Sequence, residues 1–474
     1  MVGSSYSVVT AHFLIRSNRS GSAIEVHVVA FFVPSVVEIA FAIAAFRIVS
    51  MSGDSSVLLI ETVLTHVNIN NRSTFVLRID GDIKKDGAPA KVTKRIINDL
   101  DSVCYPETFV VPFIDVVHDR VTHEIFRGCI RGCRFCQACF LSRPVREKQP
   151  ETINEQCKAL CKSTGYDEIS LCSLSSSDYR QIEKLLDLLL DWTPQEKINV
   201  ALPSLRVDNF SDELLQKLKS VRRSGLTFAP EAGTQRMRDV INKNVTEEEM
   251  LETANIAFAG GYSAVKLYFM LGLPTETDED VEGIGQLAKK VVDTYYSNPN
   301  KPAGRGVTVS VSCASFVPKP FTPFQWEPQA TREALEHKQQ FLKEHLPSRK
   351  ISVSFHDISV SFLEGVFARG DRRLADVLET AWKNGCKFDG WGEFFKLDTW
   401  LAAFESCGLS PEFYANRQRG FDEVLPWDHL DYGVSKAFLK KENEKAHRAE
   451  TTPNCRVHCA GCGANKLNGG RCDV

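Results

Sequence analysis

Between Pro112 and Pro320, short β-branched runs alternate with helical patterns. The runs are His123–Arg127, Glu168–Ser173, Lys197–Leu202, Leu226–Ala229, Ala264–Leu271 and Val307–Ala314. In one intervening stretch, Ile182, Leu185, Leu186, Leu189 and Leu190 fall at i, i+3, i+4, i+7 and i+8, which predicts a helix with one apolar face. Thr246, followed three residues on by Glu249, predicts a helix that opens with a capping box. Six strands alternating with helices predict an α/β fold with parallel pairing through right-handed crossovers. The spacing suits βαβ units, and six of them curve into a partial (β/α)6 barrel with its chemistry at the C-terminal ends of the strands.

The flanks read differently. Residues 1–80 carry no nameable motif. Val26 to Val49 is largely apolar, with Phe31, Phe32, Ile39, Phe41, Ile43 and Phe46, but Pro34 and Glu38 interrupt it. A carboxylate in mid-membrane costs about 2.5–3.5 kcal/mol, so buried strands or a helix are favoured over a membrane span at 26–49. A Pro-rich stretch, Phe316 to Trp326, closes the barrel region. Beyond about residue 350 the chain reads as mostly helical, with many aromatics, and it ends Cys-rich. Four regions are therefore expected: an atypical N-terminal region (1–110), the barrel (111–348), a helical C-terminal domain (349–445) and a Cys-rich tail (446–474).

The chain's 474 residues are too many for one ordinary core. Lys plus Arg is 57 and Asp plus Glu is 60, a net charge of −3 that lacks a strong DNA-binding signal. Fifteen cysteines, an odd number in a long chain, do not read as a disulfide framework. Reduced, metal-binding thiols in a cytoplasmic compartment fit better. No basic segment and small-residue cleavage site frame a signal peptide.

The chemistry concentrates in Arg127-Gly-Cys129-Ile-Arg-Gly-Cys133-Arg-Phe-Cys136, a CxxxCxxC run just after the first strand. Such a loop can present three thiolates to three irons of a cubane cluster and leave the fourth iron open, as a catalytic site requires. Zinc is the alternative, with Cys139 as a fourth ligand. Arg127, Arg131, Arg134, Arg143, Arg146 and Lys148 crowd this loop. They read either as charge that offsets a negative cluster and attracts an acidic electron donor or as a solvated face.

The tail repeats the spacing at Cys455, Cys459 and Cys462, with Cys472 ten residues further on and His458 as another candidate ligand. This predicts a second iron–sulfur cluster or a zinc site.

CxxxCxxC after the first strand, with Phe135 before the last Cys, resembles the signature of radical S-adenosylmethionine (SAM) enzymes. Glu124-Ile-Phe-Arg-Gly-Cys129 through Arg143-Pro-Val-Arg-Glu147 resembles more closely the B12-binding-domain-containing radical SAM proteins, whose barrels are similar to those of the methylthiotransferases. The likeness covers roughly residues 81–474. It implies a 4Fe–4S cluster on Cys129, Cys133 and Cys136, whose open iron chelates SAM. Reductive cleavage of SAM would then give methionine and a 5′-deoxyadenosyl radical that abstracts hydrogen from a substrate.

The resemblance also implies a SAM site. Ser173, Ser175 and Ser176 stand where the class often has Gly-Gly-Glu at the SAM amino group. Glu231 is expected on the ribose hydroxyls and Arg236 on the SAM carboxylate, pairings that suit these groups. Gly272 and Pro274 match the adenine-side element. The implied partners are a low-potential electron donor such as flavodoxin or ferredoxin and an RNA or protein substrate, with methylthiolation or methylation as outcomes. A non-catalytic, metal-stabilised binding module that keeps the barrel is the competing reading. The chain has no Asp-x-His-x-x-Gly, so cobalamin binding by it is not expected, and its N-terminal domain reads as truncated or replaced.

The polar groups of the helical region, His356-Asp357, Glu364, Arg369-Gly-Asp371, Asp389 and Trp427 to Asp431, read first as structural caps and ion pairs and second as a substrate platform.

Overall fold

The computed structural model describes residues 7–16, 23–32, 89–114, 116–202, 226–470 and 472. The chain forms two compact units. One comprises Met1–Thr93, Lys387–Phe395 and Asp422–Asp431, and the other holds the rest.

In the first unit, β1 (Ser7–Arg16) pairs antiparallel with β2 (Ala23–Phe32), Ser7 opposite Phe32 and Arg16 opposite Ala23. The expected apolar segment 26–49 overlaps β2, and its residues 33–49 lie outside the described residues. No helix among the described residues is long and apolar enough to cross a membrane. Further on, β3 (Val92–Thr93) pairs parallel with the short strand Leu430–Asp431.

The second unit is built on parallel sheets. β4 (Val121–Glu124) lies beside β7 (Glu168–Cys172), which lies beside β8 (Asn199–Ala201). Between β4 and β7, a two-residue ladder of β5 (Phe126–Arg127) and β6 (Arg146–Glu147) runs antiparallel. A four-stranded parallel sheet follows, in the order β12 (Ile351–Phe355), β11 (Thr308–Ser315), β10 (Ala264–Leu271), β9 (Leu226–Glu231). Residues 203–225, between β8 and β9, lie outside the described residues. Each of the six runs predicted as strands overlaps one. β12 is a seventh parallel strand, in the stretch read as helical. Its Ile351, Val353 and Phe355 alternate with exposed Ser352 and Ser354, the period-two pattern of an edge strand covered on one face.

Helices cover the sheets as their apolar stripes dictate. Val265, Leu267, Phe269 and Leu271 of β10 share a buried core with Val281, Ile284, Leu287 and Val291 of the helix Asp278–Ser297. Each such side chain stabilises the fold by about 1.5–3 kcal/mol. A second core joins Val121, Ile169 and Val200 to Ile153 and Leu160 of the helix Pro150–Thr164. Leu185, Leu186 and Leu189 complete it, so the apolar face read at 182–190 is the buried face of the helix Ile182–Leu190. The capping box also forms: Glu249 N–H donates to Thr246 Oγ1 at 3.1 Å, and Thr246 N–H donates to Glu249 Oε2 at 2.8 Å. Lys94 already belongs to this unit, since its Nζ donates to the carbonyls of Leu141 at 2.6 Å and Arg143 at 2.7 Å.

Candidate active site

The β5–β6 ladder clamps the ends of the cysteine loop, pairing Phe126 with Glu147 and Arg127 with Arg146. Gly128 opens the loop at φ +100°, a left-handed backbone that favours glycine, and a Cβ there would sit 2.8 Å from the Pro144 carbonyl. Cys129 and Cys133 are buried, and Cys136 is half-buried at the start of the helix Gln137–Leu141. The Arg131 backbone N–H donates to Cys129 Sγ at 3.4 Å, and Cys136 N–H donates to the Cys133 carbonyl at 3.1 Å. The Cys139 thiol, on the same helix, is buried and donates to the Arg131 carbonyl at 2.7 Å.

The basic residues around this loop do not form a solvated face. Arg131, Arg134, Arg143, Arg146 and Lys148 are all buried, and only Arg127 is exposed. Their partners explain why. Arg131 Nε donates to Asp178 Oδ2 at 3.0 Å, and Ser175 Oγ donates to the same carboxylate at 2.7 Å. Arg134 donates to the Val240 carbonyl at 2.9 Å, to the Glu450 carbonyl at 2.6 Å, and to Glu442 at 3.1 Å. Arg143 donates to the Arg131 carbonyl at 2.5 Å and to Cys139 Sγ at 3.8 Å. This charge is internal, tied to the carbonyls and carboxylates that hold the loop in shape.

The expected SAM elements stand at successive strand ends. Ser173 and Ser176 follow β7 with their hydroxyls 3.0 Å apart, and Ser175 is spoken for by Asp178. Glu231 ends β9. It is buried and holds φ at +67°, a conformation that costs a non-glycine residue about 1–3 kcal/mol and that collects at functional sites. Its Oε1 accepts from Lys243 Nζ at 3.3 Å. The same ammonium lies 6.0 Å from the Phe135 ring centroid, so Phe135, Lys243 and Glu231 converge.

Arg236 donates to the Thr275 carbonyl at 2.9 Å and pairs with Asp280, which ties the loop after β9 to the loop after β10. Gly272, after β10, has φ +82° and donates its N–H to Glu276 at 2.7 Å. Burial raises the Glu276 carboxyl above its ordinary pKa although Lys338, 3.2 Å away, draws it down. Pro274 sits half-buried in the same turn.

Sequence reasoning missed Lys243 and Asn242. Neither belongs to a recognisable motif, and the only local signal is the turn composition Asn242-Lys243-Asn244, whose two asparagines both take φ +51°. Asn242 Nδ2 donates to the Gly132 carbonyl at 3.1 Å, and its Oδ1 accepts from Thr452 N–H at 2.8 Å. The tail is thereby drawn to the cysteine loop. Cys455 N–H donates to the Ile130 carbonyl at 3.0 Å, and Arg456 Nη2 donates to the Asp178 carbonyl at 2.6 Å.

In the helical region, the polar groups tie the structure together. Asp357 caps the helix Ile358–Ala368 by accepting from Val360 N–H at 2.9 Å. Buried Arg369 donates to the carbonyls of Ala415 at 2.9 Å and Arg417 at 3.1 Å. Asp371 pairs with Arg373 at 2.6 Å, and Glu364 pairs with Lys319.

Residues 123–288 match the family model for the radical SAM superfamily. The matched span runs from β4 through β10 and contains the three cysteines, Glu231 and Gly272. The chain carries a radical SAM domain. An uncharacterized protein of Methanocaldococcus jannaschii is 32% identical over 286 residues, 60% of this chain and 60% of that protein. The threonylcarbamoyladenosine tRNA methylthiotransferase of Aquifex aeolicus is 26% identical over 42% of this chain and 47% of its own length. The radical SAM methyltransferase TsrM of Kitasatospora setae, solved with cobalamin and a 4Fe–4S cluster, is 13% identical, with a TM-score of 0.33 over 44% of this chain and 38% of its own.

A radical SAM domain implies a 4Fe–4S cluster and SAM. The donor set fits the cluster, because three closely spaced thiols on one clamped loop are soft ligands, and a backbone N–H already donates to one of their sulfurs. Among the described residues no three His, Cys, Asp or Glu side chains are grouped to hold one metal ion. A cubane does not ask for that, since each thiolate binds a different iron.

Proposed function

We propose that this chain is a radical SAM enzyme whose reaction is methylthiolation or methylation of an RNA or protein. The observation that carries the proposal is the set of Cys129, Cys133 and Cys136 on a clamped loop beside β4, inside a radical SAM domain. When bound, the cluster and SAM supply one-electron cleavage of SAM to methionine and a 5′-deoxyadenosyl radical.

The chain's own residues do the rest. Cys129, Cys133 and Cys136 hold three irons. Glu231 accepts hydrogen bonds from the ribose hydroxyls, and its left-handed backbone aims the carboxylate off the end of β9. Lys243, beside Glu231 and Phe135, offers an ammonium to the SAM carboxylate. Ser173 and Ser176 line the amino side, Gly272 and Pro274 the adenine side, and Phe135 shields the centre from water. The electron comes from a low-potential donor of the flavodoxin or ferredoxin kind. The chain carries no Asp-x-His-x-x-Gly motif.

The relatives named methylthiotransferases support the reaction class, and the uncharacterized archaeal relative supports the breadth of the match. The test is the spectrum of the reduced cluster in anaerobically reconstituted protein. SAM should shift the electron paramagnetic resonance signal, and a signal unmoved by saturating SAM refutes an open iron.

A further inference from the structure

The four-stranded sheet has two unlike faces. Val265, Leu267, Val309, Val311 and Ile351 lie on the face that the helices cover, all in one buried core. Side chains alternate along a strand, so the residues between them stand on the other face. There β10 carries Lys266 and Tyr268, β11 carries Ser310 and Ser312, and β12 carries Ser352 and Ser354. The register sets them in rows. Thr227 of β9, Lys266, Ser310 and Ser352 are successive partners across four strands, and Tyr268, Ser312 and Ser354 make the next row. Thr227, Ser352 and Ser354 are exposed and Lys266 is half-buried, so a ligand can reach this face.

Two groups on it await a partner. β10 is an inner strand, so Lys266 is not a charge that guards a sheet edge. Its Nζ lies 4.6 Å from the Tyr268 ring centroid, and among the described residues no carboxylate pairs with it. Ser312 is 6% exposed, and among the described residues its hydroxyl has no hydrogen-bond partner. A polar group buried in that state costs about 1–3 kcal/mol, which a ligand would relieve. The two belong to one patch, because the lysine leans along its strand toward Tyr268, and Ser312 is the register partner of Tyr268. Ser352 Oγ donates to Ser310 Oγ at 3.3 Å, and Ser354 Oγ donates to the Val311 carbonyl at 3.4 Å. Thr227, Ser310 and Ser312 therefore keep their hydroxyl protons for a ligand.

Toward the C-terminal strand ends the same face turns apolar. Met270 stands opposite Ala314 and packs against the apolar cluster that Phe135 of the cysteine loop also joins. Lys266 and Met270 are about 13 Å apart along the strand.

We propose that this face is a substrate subsite, in which Lys266 and the hydroxyls of Thr227, Ser310 and Ser312 hold a phosphate of a nucleotide while the rest of the substrate extends toward Met270. One ammonium among several hydroxyls donates from many directions to one group of oxygens, as a phosphate asks. A flat carboxylate is better met by the fork of a guanidinium, which these rows lack. The subsite rests on the proposed function and narrows its substrate to the nucleotide class.

The test is binding of a labelled, mixed-sequence oligoribonucleotide to full-length protein, read by fluorescence anisotropy over a range of salt. Lys266→Met should weaken binding roughly tenfold to a hundredfold. It should also lower the slope of log affinity against log salt by about 0.7, the share of one phosphate contact on a single strand. A merely structural role would leave that slope alone. Lys266→Arg should keep the slope, and Ser312→Ala should weaken binding about two- to tenfold without changing it. Thermal unfolding checks that each variant is folded, and Lys266→Gln replaces Lys266→Met if that one is not. Competition by uridine monophosphate assigns the site to the phosphate of a single nucleotide, and its failure assigns it to a phosphate within a strand; either upholds the subsite. No binding by wild-type protein overturns it, as does a Lys266→Met variant with unchanged affinity and slope, or an acidic peptide that binds through Lys266 where the RNA does not. Wild-type protein that binds RNA through Lys266 yet forms no 5′-deoxyadenosine from SAM keeps the subsite and sinks the proposed function, and the reverse result sinks the subsite alone.

Discussion

The backbone N–H of Cys455 donates to the carbonyl oxygen of Ile130 at 3.0 Å, so the first cysteine of the tail is bonded to the residue after Cys129. Two segments with the same CxxxCxxC spacing are thus held edge to edge, although one opens the barrel and the other lies in the tail. The bond has company. Asn242 bridges the Gly132 carbonyl and the Thr452 N–H, and Arg134 bridges the loop to Glu442 and to the Glu450 carbonyl.

The Asn242 bridge gives the first prediction. Asn242→Ala removes both bonds, leaves the buried Thr452 N–H without an acceptor, and puts a Cβ residue at φ +51° without a side chain that eases it. Unfolding in urea should show a loss of about 1–3 kcal/mol, and hydrogen exchange should quicken at Thr452 and Cys455 together. Asn242→Asp keeps the acceptor for Thr452 and should lose less. Exchange that quickens at Thr452 alone would show that the tail does not dock as one piece.

Arg134 and Glu442 are both fully buried, so removing Arg134 leaves the buried Glu442 carboxylate to Lys445, 3.3 Å away, and the Thr452 hydroxyl alone. Arg134→Met should destabilise the protein by about 3–5 kcal/mol, measured by denaturant unfolding. Adding Glu442→Gln to that variant should recover part of the loss, because that carboxylate is gone. Additive losses from the two changes would mean that the pair is not the reason Arg134 is buried.

Glu231 and Lys243 carry the prediction about SAM. Glu231→Gln and Lys243→Met should each weaken SAM binding by about 1.5–3 kcal/mol, roughly tenfold to a hundredfold, with iron content unchanged. Arg236→Ala should weaken it less, because Asp280 and Thr275 already engage that guanidinium. Equilibrium dialysis with labelled SAM measures all three, and unchanged affinity in the first two displaces the pocket.

Asp280 makes the fold sensitive to acid. Burial works against its charge, but hydrogen bonds from Arg236, Thr234 and Thr277 outweigh it and hold the carboxyl below its ordinary value of 3.8. A carboxyl lowered by folding stabilises the fold above its unfolded pKa, and that contribution is lost as pH falls through the folded value. Between pH 7 and 5 the unfolding temperature should therefore respond little to this group. Below about pH 4 the wild type should lose stability more steeply than Asp280→Asn. Parallel curves for the two proteins would sink the assignment.

Much of this was readable in the chain because the signals were local. The alternation of Val265, Leu267, Phe269 and Leu271 marks β10, and Thr246 with Glu249 marks a helix start, whatever the rest of the molecule does. The cysteine spacing is likewise local. Burial of Arg131, Arg134 and Arg143 was not legible, because it depends on Asp178, Glu442 and the tail, which are distant in sequence. A run of arginines looks the same whether it faces water or wires a core. Lys243 was invisible for the same reason: its role comes from Phe135 and Glu231, brought to it by the turn at Asn242 and Asn244. β12 was passed over because three apolar residues alternating with two serines make a weak signal at the margin of a helical region.

The central claim is that Cys129, Cys133 and Cys136 support cleavage of SAM. Its most direct measurement is the 5′-deoxyadenosine formed from SAM by anaerobically reconstituted, dithionite-reduced protein, set against the Cys133→Ala variant prepared in parallel. Wild-type protein should form 5′-deoxyadenosine and methionine in equal amounts, and Cys133→Ala should form neither above the protein-free background. Equal product from both proteins, or none from wild-type protein that holds its full complement of iron, would contradict it.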